Sequence, residues 1–162
     1  MSESARKKRG YQTRFSFGST SAIITNLGLI AGLHSEVNAK LSIISGILVI
    51  ALADNISDSF GIHIFQESEH VSKMEIWMST LSNFLTRVFV SLIFVLLMIL
   101  LPLNPAVISS IILGLILLAF ISYVIAKDEE KNPLLPVLTH ILIAVTVIIL
   151  SNLVGDFILG RF

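Results

Sequence analysis

Apolar residues fall into five long blocks separated by short polar stretches. The blocks cover about residues 17–33, 41–64, 85–103, 106–126 and 135–159. A hydrocarbon core of about 30 Å takes roughly 20 helical residues at 1.5 Å each, so each block is long enough, or nearly so, to cross it. Backbone groups in lipid need partners inside the segment, which predicts helices. The expected fold class is all-α: a polytopic membrane protein whose residues 17–162 form a single domain, a five-helix transmembrane bundle.

Between the second and third blocks, residues 66–84 read as a short amphipathic cytoplasmic segment, either a helix of its own or the cytoplasmic extension of the third span. Val71, Met74, Trp77, Leu81 and Phe84 recur at helical spacing there. The run Ser72-Lys73-Met74-Glu75 fits a capping box at a helix start. The run from Lys127 to Pro133 reads as a solvated turn. Pro133 is suited to the start of the fifth helix, since a first-turn residue needs no N–H partner.

Composition agrees with the pattern. Of the 162 residues, 54% are hydrophobic and 14% charged, and the mean hydropathy is +0.89. That profile belongs to membrane proteins rather than soluble domains. The lipid bilayer is thus the first expected partner. The formal net charge is zero, which gives no reason to expect nucleic acid as another. There is no cysteine, so disulfides and thiolate metal sites are excluded. The first residues are polar and basic and do not read as a cleaved signal.

Basic residues suggest an orientation. Arg6, Lys7, Lys8, Arg9 and Arg14 precede the first block, forming a basic tail over residues 1–16. Lys73 and Arg87 lie between or near the second and third blocks, and Lys127 and Lys131 between the fourth and fifth. Only Lys40 and Arg161 fall on the other side. The N-terminus is therefore expected in the cytoplasm and the C-terminus outside. The default location is the cell membrane, or an internal membrane in a eukaryote.

The candidate chemistry sits in "ADNISDSFGIHIFQESE", residues 53–69. Asp54 and Asp58 are four residues apart and share one helix face, with Asn55 beside them. An ionised acid facing lipid costs about 3 kcal/mol or more. The pair must face other helices or water, hold a proton, or bind a cation. His63 and Glu67 continue the face toward the cytoplasm, and oxygen with imidazole suits divalent iron, manganese or zinc. The metal-ligand candidates are thus Asp54, Asp58, His63 and Glu67. Asp54, Asp58, Asn55 and, from the first helix, Asn26 are expected to line a cation path. Structural alternatives are polar contacts from the acids to Asn26, Asn152 or His140, and hydrated helix-end residues at His63 and Glu67. Gly28 and Gly32 form G-x-x-x-G, a close helix-packing motif within the chain or between copies.

One resemblance adds to this. "RFSFGSTSAIITNLGLIAGL", Arg14 to Leu33, resembles the opening helix of the vacuolar iron transporter family, carriers of ferrous iron and manganese. Thr25-Asn26-Leu27-Gly28-Leu29 and Gly32 carry the likeness. The turn around Ser57 and Gly61 leading into "HIFQESE" is similar to the family's second helix. The resemblance implies a homodimer, a cation path near the dimer axis lined by the first two helices, and exchange of divalent metal for protons. The chain departs from the family at three positions. Ser21 stands where the family has an acid, Asp58 where it has a methionine, and Ile62 where it has a glutamate. The glutamate-rich insert of eukaryotic members is reduced to residues 66–84, with Glu67, Glu69, His70 and Glu75.

The expected function is a membrane transporter for divalent metal cations, Fe2+ or Mn2+ as transported substrate, with protons as the possible coupling ion. No permanently bound cofactor is expected. The alternative is a non-transporting membrane scaffold whose acids are structural. An enzyme is not expected. Aspartyl proteolysis needs two acids that face each other, whereas these are stacked on one helix. The D-x-x-x-D spacing lacks the D-x-x-D-G and A-R elements of head-group transferases.

Overall fold

The computed structural model describes residues 3–128 and 132–161, with side chains from residue 18 onward. The side chains of the basic N-terminal run and part of the Lys127–Pro133 turn therefore lie outside the described residues. Five helices follow in order: α1 Glu3–Leu33, α2 Ala39–Ser68, α3 Lys73–Leu100, α4 Leu103–Asp128 and α5 Leu134–Leu159. No strand occurs among the described residues. Four helices, α2 to α5, are long and apolar enough to cross a membrane. The apolar part of α1 is shorter, Gly18–Leu33.

Two boundaries differ from the sequence reading. Residues 66–84 divide between two helices, and the part from Lys73 is the extension of the third span that the sequence allows. Helix α2 runs on to Ser68, and α3 starts at Lys73 and continues into the apolar block without a break. Ser72 is the N-cap: its hydroxyl oxygen accepts from the Glu75 amide and its O–H donates to Glu75 Oε2. No proline or glycine follows until Pro102, so nothing stops the helix once capped. The turn between α2 and α3 places His70 at φ 56°, the left-handed region a non-glycine residue occupies at a cost. The expected tail over residues 1–16 is helical from Glu3 and continuous with the first apolar block.

Helix α1 is the hub. It packs on α3, α4 and α5, and less extensively on α2, which lies mainly along α3. Ile23, Leu27 and Ile30 of α1 meet Ile43, Ile47, Phe94, Met98 and Leu118 in a fully buried core. Helix α5 buries little besides Ala144. A helix apolar on all sides with one face unburied is what a lipid-facing span presents.

The sense of burial in α3 is inverted relative to a soluble helix. Ser79, Asn83, Thr86, Arg87 and Ser91 point inward, whereas Leu81, Leu85, Phe89, Leu92, Leu96 and Ile99 point outward. In water this arrangement would expose a broad apolar surface and bury polar groups at a cost. In lipid it is the stable choice, because polar groups find partners only inside.

Close approach of α1 and α5 depends on small residues. A methyl group at Gly28 would touch Val147 and Ser151, and one at Gly32 would touch Ser151. At Gly155 it would fall on the Gly32 carbonyl oxygen, a backbone atom that cannot move aside. The Gly28/Gly32 motif is therefore used within the chain, against α5. At the other side of the bundle, Lys40 of α2 donates to the Ile99 and Leu101 carbonyls at the end of α3. A cation there satisfies orphan carbonyls and opposes the negative helix end.

Gly155→Val should overpack the α1–α5 contact and cost about 1–3 kcal/mol. Gly61→Ala meets open space and should be neutral or gain up to about 1 kcal/mol from helix propensity. Thermal unfolding of both variants in the same detergent checks the contrast.

Candidate functional site

Helices α2 and α3 run antiparallel, and polar side chains meet along the half of their contact nearer the turn, from Asp54 to Gln66 on α2 and Ser79 to Arg87 on α3. Near the α2–α3 turn, the Gln66 amide donates to Ser79 Oγ at 2.9 Å. His63 Nδ1 lies 3.1 Å from Thr80 Oγ1. The Thr80 hydroxyl donates to the Ile76 carbonyl, so the imidazole is the donor in that pair. The His63 ring also stacks on Phe60 and meets Trp77 edge-on, at centroid distances of 5.7 and 4.8 Å. Further along, the Asn83 amide donates to Ser59 Oγ at 3.0 Å.

The centre of this seam is Arg87. Its side chain is 1% exposed. Nη2 donates to Asp54 Oδ2 at 2.7 Å, and Nε donates to Asn55 Oδ1 at 2.7 Å. Nη1 stands 2.7 Å from Asp58 Oδ2, an ion-pair distance without hydrogen-bond alignment. The local reason is register. Asp54 and Asp58 are one α2 turn apart, and Asn55 lies on the adjoining buried stripe with Ala51 and Ser59. A planar guanidinium with a fixed fork of donors spans that spacing, whereas a lysine ammonium is a single point charge.

The carboxylates are not enclosed. The Asp54 and Asp58 side chains remain 44% and 39% exposed, on the flank of α2 that α3 leaves open. Leu52, Ile56 and Phe60 are exposed near them. Arg87 holds the Oδ2 atom of each acid, and each Oδ1 is left without a hydrogen bond from the described residues.

Sequence reasoning placed Arg87 among the cytoplasmic charges, and this is corrected here: it is buried within the bundle. A signal was present, since Asn83, Arg87 and Ser91 stand four residues apart across the start of the third apolar block. The acids pair with α3, rather than with Asn26, Asn152 or His140. Asn26 instead donates to the Ala22 carbonyl and to Ser91 Oγ, at 2.8 and 3.0 Å. His140 joins α5 to α4 through Ser122 at 2.7 Å, and Asn152 donates to Asp156 within α5.

His63 is engaged with Thr80 and the aromatic rings, and Glu67 is exposed. Among the described residues no three His, Asp or Glu side chains gather as a ligand set within one chain. The structure brings Asp54, Asp58 and Asn55 together around Arg87 and leaves Asn26, His63 and Glu67 outside that cluster. Two buried amide oxygens along the seam, those of Asn83 and Gln66, and that of Asn26 on α1 have no hydrogen-bond partner among the described residues.

The fold and this inward-facing polar seam define a helical protein of the multi-pass membrane type. Comparison with protein-family models, curated proteins and solved structures gave no match.

Arg87→Leu strands two carboxylates at the α2–α3 contact. Breaking such a pair from one side should cost about 3 kcal/mol, the low end for buried pairs because the acids are half-exposed. Adding Asp54→Asn and Asp58→Asn to Arg87→Leu should restore most of that loss. Unfolding midpoints in detergent for the single and triple variants check the coupling.

Proposed function

We propose that the protein is a carrier of divalent metal cations, Fe2+ or Mn2+, with Asp54 and Asp58 as the carboxylates that receive the ion. The observation that carries this reading is the cluster's charge. Two carboxylates against one guanidinium leave one negative charge per chain, on the open flank of a helix long and apolar enough to cross a membrane. Hydrocarbon does not tolerate that charge uncompensated. Two copies with their α2 flanks facing each other leave two negative charges, the charge of one divalent cation. Each copy then offers the two carboxylate oxygens that Arg87 does not hold, and four oxygens suit the core of a site for a hard divalent ion.

The reading takes the chain as a divergent, short relative of the vacuolar iron transporters. It has five spans including the apolar part of α1, the N-terminus in the cytoplasm and the C-terminus outside, in the cell membrane or an internal one. The homodimer axis runs beside α2. Protons are the natural exchange ion, since they also neutralise carboxylates. His63 and Glu67 then stand at the cytoplasmic approach. The scaffold alternative is favoured by one feature, the internal neutralisation by Arg87, and the half-exposed oxygens weigh against it.

Two measurements test the proposal. In proteoliposomes, Asp54→Asn with Asp58→Asn should abolish Mn2+ and Fe2+ flux; unchanged flux would remove the acids from the path. The chain has no cysteine, so single introduced thiols report contacts cleanly. Ile56→Cys on the α2 flank should cross-link to a dimer under mild oxidation, whereas Ile112→Cys on the exposed side of α4 should not.

A further inference from the structure

Resting on the carrier reading above, we infer that Arg87 is the charge-setting residue of the site: it limits the carboxylates to one divalent ion per two chains. Three features support this. An arginine guanidinium stays protonated in proteins, so its charge is permanent. It takes one oxygen from each acid, Asp54 Oδ2 and Asp58 Oδ2, both at 2.7 Å, while the two acid side chains stay 44% and 39% exposed. Its third anchor, Nε on Asn55 Oδ1, belongs to a residue only 1% exposed, so an incoming ion cannot readily displace it from outside.

Charge then controls occupancy. A site at membrane depth fills until its net charge is near zero, because the low-dielectric surroundings penalise any excess of either sign. With Arg87 present, each chain lacks one positive charge, and one divalent ion satisfies two chains. Without it, each chain lacks two and takes an ion of its own. Arg87 also keeps the two carboxylates one turn apart with their free oxygens outward. Neither copy alone then presents more than two oxygens to the ion. Arg87 is thus a positioning residue that acts through the acids, and its effect is on ion number rather than on whether the ion binds.

The test is Mn2+ binding to the purified full chain in detergent, with free Mn2+ counted by electron paramagnetic resonance. The wild type should saturate at about one ion per two chains, the ratio that neutrality sets. Arg87→Gln should rise to about one ion per chain, and Arg87→Lys, which keeps the charge, should stay at the wild-type ratio. Asn55→Asp adds a negative charge while keeping the guanidinium and its acceptor. It should also reach about one ion per chain, and it reads the same effect if Arg87→Gln fails to fold. A wild type that already binds one ion per chain through Asp54 and Asp58 would overturn the role of Arg87 and leave the carboxylate site standing. So would Arg87→Gln or Asn55→Asp that fold and keep the wild-type ratio. A wild type that binds no Mn2+, or binds it equally after Asp54→Asn with Asp58→Asn, would remove the site and the inference together.

Discussion

A guanidinium buried between two helices governs the architecture. Arg87 is among the largest fully buried side chains in the protein, and it carries a charge that cannot be discharged by losing a proton. Such a group is tolerated at membrane depth only if acceptors surround it. Asp54, Asp58 and Asn55 meet that demand from α2, and they do so only at one register of α2 against α3. A slip of one turn would put Ala51 or Ser59 in place of Asn55 and leave the guanidinium only one of its two carboxylates. The ion pair therefore specifies how the hairpin is aligned, whatever its net contribution to stability. The contacts toward the α2–α3 turn, Asn83 with Ser59 and then His63 with Thr80, follow from that alignment, since each is about one further turn along both helices.

The bundle divides its packing by chemistry. The half of the α2–α3 contact nearer the turn is polar and directional. The α1–α5 contact is steric, with Gly28, Gly32 and Gly155 letting two backbones approach. Between them α1 supplies the apolar core through Ile23, Leu27 and Ile30. Apolar burial offers little net gain in lipid, because lipid tails are as apolar as the core. Small-residue contact and buried hydrogen bonds then carry more of the specificity than they would in water. This explains why α5, which has neither a buried charge nor an amide contact to α1, is held by glycines.

Much of the helical layout was legible because a bilayer imposes one simple rule on sequence: long apolar runs. Helices α2, α4 and α5 each overlap an apolar block closely, and the Ser72 cap was readable from a four-residue pattern. The joins were less legible. Polar residues such as Lys73, Glu75 and Ser79 interrupt the apolar run, yet they extend α3 because a helix continues wherever backbone bonds continue, independent of side-chain polarity. The pairing of Asp54 with Asp58 was visible from spacing alone. Their partner was not, because the rule that assigns basic residues to the cytoplasmic side treats every arginine near a span alike. What marks Arg87 as internal is its place in a polar stripe with Asn83 and Ser91 on a helix whose other face is wholly apolar. That stripe becomes decisive only when the facing helix is known.

The half-exposed acids give the cluster its asymmetry. A purely structural buried pair tends to be closed on all sides, with charges balanced, since each unmatched group adds a desolvation cost. Here the positive member is fully enclosed while the negative members are not, and the negative charges outnumber the positive one. The enclosed guanidinium holds the register, and the open carboxylate oxygens are left with unfilled capacity for a positive charge. Closing the bundle around Arg87 alone would have required one acid. The second acid, one turn away on the same open flank, is not needed to balance the arginine. It is the residue whose presence the helix hairpin by itself does not explain.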